Sequence, residues 1–160
     1  LYLYFKNKDE LYASLSLRIL HYLYIRLEHL NSGEDLNFQQ RLDALKDAMY
    51  DVYQFDPLIL INMFHLQSSE TLKNLTPELL SEIQRLSRDS LAEMSKFFED
   101  GINSDVYIDA HPIILADIVW ALFSGVVLWE TSKRVINEDK DYLKETLETA
   151  FDIFIRGIRK

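Results

Sequence analysis

Each of the three prolines in this 160-residue chain follows a residue suited to the start of a helix: Asp56-Pro57, Thr76-Pro77 and His111-Pro112. Proline lacks an N–H and holds φ near −65°, so it fits the first turn of an α-helix and disrupts its interior. A preceding Asp or Thr can cap the free N–H groups of that turn. The three dipeptides therefore cut the chain into helix-length pieces. Two more starts lie upstream, where Asn7 with Glu10 and Asn37 with Gln40 have the spacing of a capping box. These signals predict a helix from about Lys8 to Leu30 and another after Asn37 with an apolar stripe of Phe38, Leu42, Leu45, Met49, Val52 and Tyr53. Further helices should start at Pro57, Pro77 and Pro112, and Gly101 should end the fourth as its C′ residue. A sixth should follow the polar stretch from Asn137 to Asp141 and reach about Arg156. No segment alternates convincingly with period two, and Val106-Tyr107-Ile108, the best strand candidate, is too short to found a sheet. The expected fold class is all-α with about six helices. No internal repeat or long linker divides it.

Composition narrows the function. Hydrophobic residues make up 48% and charged residues 27%, which is globular usage and enough for a sizeable core. There is no cysteine, so disulfide scaffolds, thiol catalysis and thiolate metal sites are excluded together. That usage suits a reducing cytoplasm, the expected location. The net charge of −9 sets the bulk surface against nucleic acid, so any DNA contact must come from a small local element or a further segment. The chain opens at Leu1 inside a patterned stretch that is aromatic and charged. This reads as a fragment and not as a signal peptide. His21, His29, His65 and His111 form no H-E-x-x-H or E-x-x-H pair, and no nucleophile elbow, P-loop or dinucleotide fingerprint occurs. Neither an enzyme nor a metal or other cofactor is expected.

From Ile113 to Trp129 the chain is apolar except at Asp117 and Ser124. The run approaches the length of a membrane span, but Asp117, the helix-starting Pro112 and the acidic flanks argue against one. A helix apolar all round is more simply one covered on two sides. One stripe, Asp117, Ala121, Ser124, Gly125, Leu128 and Ser132, is mostly small and would allow close approach of another helix. The opposite stripe carries Trp120, Phe123 and Val127. The last helix has its own stripe of Leu143, Leu147, Ala150, Phe151, Phe154 and Ile158. Two such helices from each of two subunits would make a four-helix dimer interface, with Asp117, Ala121, Ser124, Gly125, Leu128, Leu147, Phe151, Phe154 and Ile158 as contacts. The other reading is that both stripes are core of one subunit. Asp117 also suits a buried functional carboxylate.

Residues 1–11 read L-Y-L-Y-F-K-N-K-D-E-L. Leu1, Tyr2, Phe5, Lys8 and Leu11 resemble the pattern L-Y-x-x-F-x-x-K-x-x-L with which TetR-family regulators pass from the recognition helix into the next helix. The succession of one long helix, several middle helices and two long C-terminal helices is similar to that family as well. The resemblance implies that residues 1–11 are the remnant of an N-terminal helix-turn-helix domain whose other helices are absent. Residues 12–160 would form a TetR-like ligand-binding and dimerisation domain. It implies phosphate contacts from Tyr2, Tyr4 and Lys8, with Phe5 and Leu11 packing the reading head onto the first helix. Lys8 also stands at a helix N-terminus, which suits a phosphate on its own account.

The resemblance further implies a homodimer reading a near-palindromic operator, and a small hydrophobic effector held among the middle helices. Candidates to line that site are Met49 and Tyr53, then Met63, Phe64 and His65, then Ser87, Ser90, Leu91, Met94 and Phe98, and finally Trp120 and Phe123. Apolar side chains with a few polar ones describe a ligand cavity, although the same stripes would also serve as ordinary core. The function so implied is a ligand-responsive regulator of repressor type. The alternative is a helical dimeric binding or adaptor module without DNA-binding function.

Overall fold

The computed structural model describes residues 5–33, 35–67 and 69–160. Within them the chain forms α1 (Lys8–Ser32), α2 (Phe38–Phe55), α3 (Pro57–Gln67), α4 (Pro77–Asn103), α5 (Pro112–Ile136) and α6 (Leu143–Ile158), with a 3₁₀ turn at Glu70–Asn74. Among the described residues the only β-pairing is an isolated bridge between Tyr107 and Arg159, so the all-α expectation stands.

The caps show why these segments start where they do. Asn37 Oδ1 accepts the Gln40 N–H at 2.8 Å while Gln40 Oε1 accepts the Asn37 N–H at 3.0 Å, a complete capping box. At α1, Asn7 Oδ1 accepts the Glu10 N–H at 3.0 Å, but Glu10 reaches one residue further back, to the Lys6 N–H at 2.9 Å. Asp56 Oδ1 accepts from Ile59 at 3.1 Å and His111 Nδ1 from Ile113 at 3.3 Å. Thr76 makes no side-chain cap bond, leaving Pro77 as the start signal for α4.

Helix α1 is the central rod, packed against α2, α3 and α4, while α5 lies between α4 and α6. Its inner stripe of Ala13, Ile19, Leu20, Leu23, Leu27 and Leu30 is buried. One polar knot ties three helices together. Arg41 donates to Asn31 Oδ1 at 2.7 Å and to Asp100 at 3.0 Å, and the Asn31 amide donates to the Glu93 carboxylate at 2.8 Å. The guanidinium also lies over the rings of Phe38 and Phe97. Fixed geometry of this kind suits a planar, always-charged donor.

Gly101 does not end α4. The helix continues to Asn103, and the left-handed residue beyond it is Asp105, with φ 60°. Gly101 is there because the buried ring of Tyr107 occupies the space where a Cβ would stand. Around that ring the loop meets the C-terminus. Ile108 donates to the Ile158 carbonyl at 2.7 Å, Lys160 donates to the Val106 carbonyl at 3.1 Å, and the Lys160 ammonium pairs with Asp105. The weak strand signal at Val106-Tyr107-Ile108 thus corresponds to one short pairing that pins the chain end.

Candidate functional site

A cavity of about 180 Å³ lies where α1, α4 and α5 meet the end of α3. Helix α1 contributes Leu20 and Leu23, and α3 contributes its last residue, Gln67. Ser87, Ser90, Leu91 and Met94 come from α4, and their spacing of three and four puts them on one helical face. Asp117 and Trp120, three residues apart on α5, complete the wall. The indole is held from behind by Phe123 at 5.5 Å and by the edge of Phe64 at 5.8 Å.

Ser90 is the most informative lining residue. Three helical serines return their hydroxyl to the carbonyl four residues back: Ser16 to Tyr12 at 2.8 Å, Ser124 to Trp120 at 2.8 Å and Ser132 to Leu128 at 2.9 Å. Ser90 is 5% exposed, yet its Oγ has no hydrogen-bond partner. A buried hydroxyl left this way costs free energy. Its position on the cavity wall offers that unused capacity to a molecule inside.

The expected lining is therefore only partly brought together. Ser87, Ser90, Leu91, Met94 and Trp120 reach the cavity, whereas Phe64 and Phe123 stand behind Trp120. Met49 and Met63 are buried in the core away from the wall, and Phe98 packs on Tyr107 and Phe154. Tyr53 accepts a hydrogen bond from Arg134 Nη2 at 2.7 Å, tying α2 to the end of α5. His65 is exposed on the outer side of α3. The sequence pattern does not single out Leu20, Leu23 or Gln67. The two leucines belong to the same stripe as ordinary core residues, and Gln67 sits at a helix end with no periodic signal.

The outward side of α5 forms a second feature. Ile118, Ala121, Leu122, Gly125, Val126 and Trp129, with Thr146 of α6, line a shallow apolar groove. Phe123 and Val127 point inward and are fully buried. Trp129 is 65% exposed and Ile153 of α6 is 67% exposed, and a Cβ on Gly125 would meet nothing. Ala121 and Gly125 therefore lie on this face, with Ser124 and Leu128 half-buried at its edge. Asp117 instead belongs to the cavity wall.

On α6 most of the expected contact residues lie inside their own subunit. Leu147, Phe151 and Ile158 are buried in their own subunit, Phe151 to 1% exposure, and Phe154 is half-buried against Phe98 at 5.9 Å. This helix has one apolar stripe and spends it on its own core. Its outward contribution is Ile153.

Lys8 is exposed at the first position of α1, with its ammonium 5.5 Å from the Tyr12 ring centre. Tyr2 and Tyr4 lie outside the described residues. Helix α5 is long and apolar enough to cross a membrane by length and composition, but here its inner side packs in the bundle.

The long α1 rod, the cavity beside it and the open α5–α6 face together define a helical fold seen in regulators of transcription. The chain has the fold of the TetR-family transcriptional regulators. It is similar to PfmR of Thermus thermophilus, a TetR-family transcriptional regulator, with TM-score 0.76 and 17% identity over 99% of this chain and 81% of that one. Escherichia coli NemR in its reduced form gives TM-score 0.67 and 20% identity, covering 99% and 78%. SmeT in complex with triclosan gives TM-score 0.66 and 22% identity, covering 99% and 74%. SmeT is the repressor of the Stenotrophomonas maltophilia multidrug efflux pump SmeDEF. No sequence family matches the chain, and no curated protein matches it by sequence.

Proposed function

We propose that this chain is the effector-binding and dimerisation body of a cytoplasmic, ligand-responsive transcriptional regulator of repressor type. In this reading residues 1–11 close an N-terminal helix-turn-helix unit, with Tyr2, Tyr4 and Lys8 touching operator phosphates. Residues 12–160 hold the effector and pair two subunits through α5 and α6. The protein carries out no catalysis.

The observation that carries this reading is the shared wall. Leu20 and Leu23 line the cavity and belong to α1, the helix that runs on from the DNA-binding segment. Leu20 is twelve residues from Lys8, or roughly 18 Å along the axis at 1.5 Å per residue. A small tilt of α1 set by an occupant would be carried to the reading heads and change their separation on DNA. A ligand acts this way only by favouring one of two arrangements. The complex of SmeT with triclosan supports an apolar effector by analogy of fold.

The test is operator selection from random duplexes by the natural gene product that carries this chain, followed by titration with small apolar molecules at fixed salt. A near-palindromic site whose affinity falls when the cavity is filled is the expected result. A dimer that selects no duplex would instead support a helical adaptor module. Selection without any ligand effect would remove the coupling.

A further inference from the structure

The cavity wall carries one acidic side chain and no basic one: among the described residues, Asp117 is the acidic lining residue, and no lysine, arginine or histidine lines the space. Among the described residues, Asp117 takes part in none of the ion pairs. The indole of Trp120 stands one turn along the same helix, held in place by Phe64 and Phe123. A carboxylate one helical turn from an indole, in a space otherwise lined by leucines, a methionine, two serines and a glutamine, favours a cation over a neutral group and disfavours an anion. The unpartnered Ser90 hydroxyl, independently of this, marks the space as one that offers a polar contact to an occupant.

From this arrangement we infer that the occupant is a small lipophilic cation, an aryl- or alkylammonium. Its nitrogen pairs with Asp117 beside Trp120, and its apolar body lies on Leu20, Leu23 and Met94. The inference rests on the effector role proposed above and narrows it from a hydrophobic molecule to a cationic one. Size limits the occupant too. A volume of about 180 Å³ is roughly six times the ~30 Å³ share of one liquid water, which suits a phenyl ring on a short amine-bearing arm.

Three probes of nearly equal shape separate the possibilities: 2-phenylethylammonium, 2-phenylethanol and phenylacetate, titrated calorimetrically into the purified chain near neutral pH. The ammonium should bind at least tenfold more tightly than the alcohol, and phenylacetate should bind most weakly. Added salt should weaken the ammonium alone, since Asp117 is open enough to solvent for its charge to be screened. Asp117→Asn should bring the ammonium down to the affinity of the alcohol and leave the alcohol within twofold. Trp120→Leu should weaken every probe that binds. An ammonium no tighter than the alcohol, or a preference that survives Asp117→Asn, overturns the charge assignment while alcohol binding leaves the effector cavity standing. Failure of all three probes to bind overturns both.

Discussion

The ring of Tyr107 fills the space directly over the α-carbon of Gly101, closer to the point where an alanine methyl would stand than real Cβ atoms come to a neighbour. Both residues are buried, so neither can move aside into solvent. Gly101→Ala should therefore destabilise the fold by about 1–3 kcal/mol, the usual cost of overpacking, measured as a lowered urea midpoint. Gly157→Ala is the control. A Cβ there meets nothing, and alanine in a helix gains about 0.5–1 kcal/mol over glycine.

The same buried tyrosine gives a pH prediction. Burial raises the Tyr107 phenol above its ordinary value, and the nearby positive charges of Arg159 and Arg41 oppose only part of that rise. Its neutral form is the one that fits the fold. The stability it supports is complete below the unfolded value of about 10 and is lost as pH rises through the raised folded value. Tyr107→Phe should lose less stability than the parent as pH rises above about 10, followed by urea unfolding at each pH. An equal loss in both proteins would show that other groups govern alkaline unfolding.

Ser90 and Ser16 should respond differently to truncation. Ser90→Ala removes a buried hydroxyl that has no partner and should raise the stability of the free protein by about 1 kcal/mol. Ser16→Ala deletes a buried group already bonded to the Tyr12 carbonyl, so no such gain should appear. Thermal unfolding of the two variants reads the difference directly.

Inward and outward residues of α6 should separate folding from assembly. Phe151→Ala should cost about 3–5 kcal/mol of subunit stability, as for a fully buried aromatic. Ile153→Asp, on the exposed side, should leave the circular dichroism of the subunit unchanged and weaken self-association. Sedimentation velocity together with circular dichroism distinguishes the two outcomes.

The helix starts were legible because each depends on residues close in sequence: Asn37 needs only Gln40, and Asp56 only Ile59. Gly101 misled because a glycine near a helix end looks like a stop, while its actual reason, Tyr107, is a tertiary contact. The cavity was half legible for a related reason. Ser87 and Ser90 interrupt an apolar stripe and so announce a polar need, whereas Leu20 and Leu23 repeat with the same period as Ile19 and Leu27, which are plain core. Periodicity tells which side of a helix faces inward, but not whether a neighbour fills the space opposite. The stripe on α6 faces its own subunit because one amphipathic face can cover only one surface.

Pairing through the outer face of α5 is the step on which the regulator reading depends, and Gly125 is the place to test it. Open space surrounds that position within one subunit, so Gly125→Leu should leave the subunit fold intact and obstruct a second copy. Sedimentation equilibrium at micromolar concentration should give twice the 18.9 kDa chain mass for the parent and the single mass for Gly125→Leu. A parent that sediments as a single chain throughout, or a variant that dimerises as tightly as the parent, would contradict the assignment.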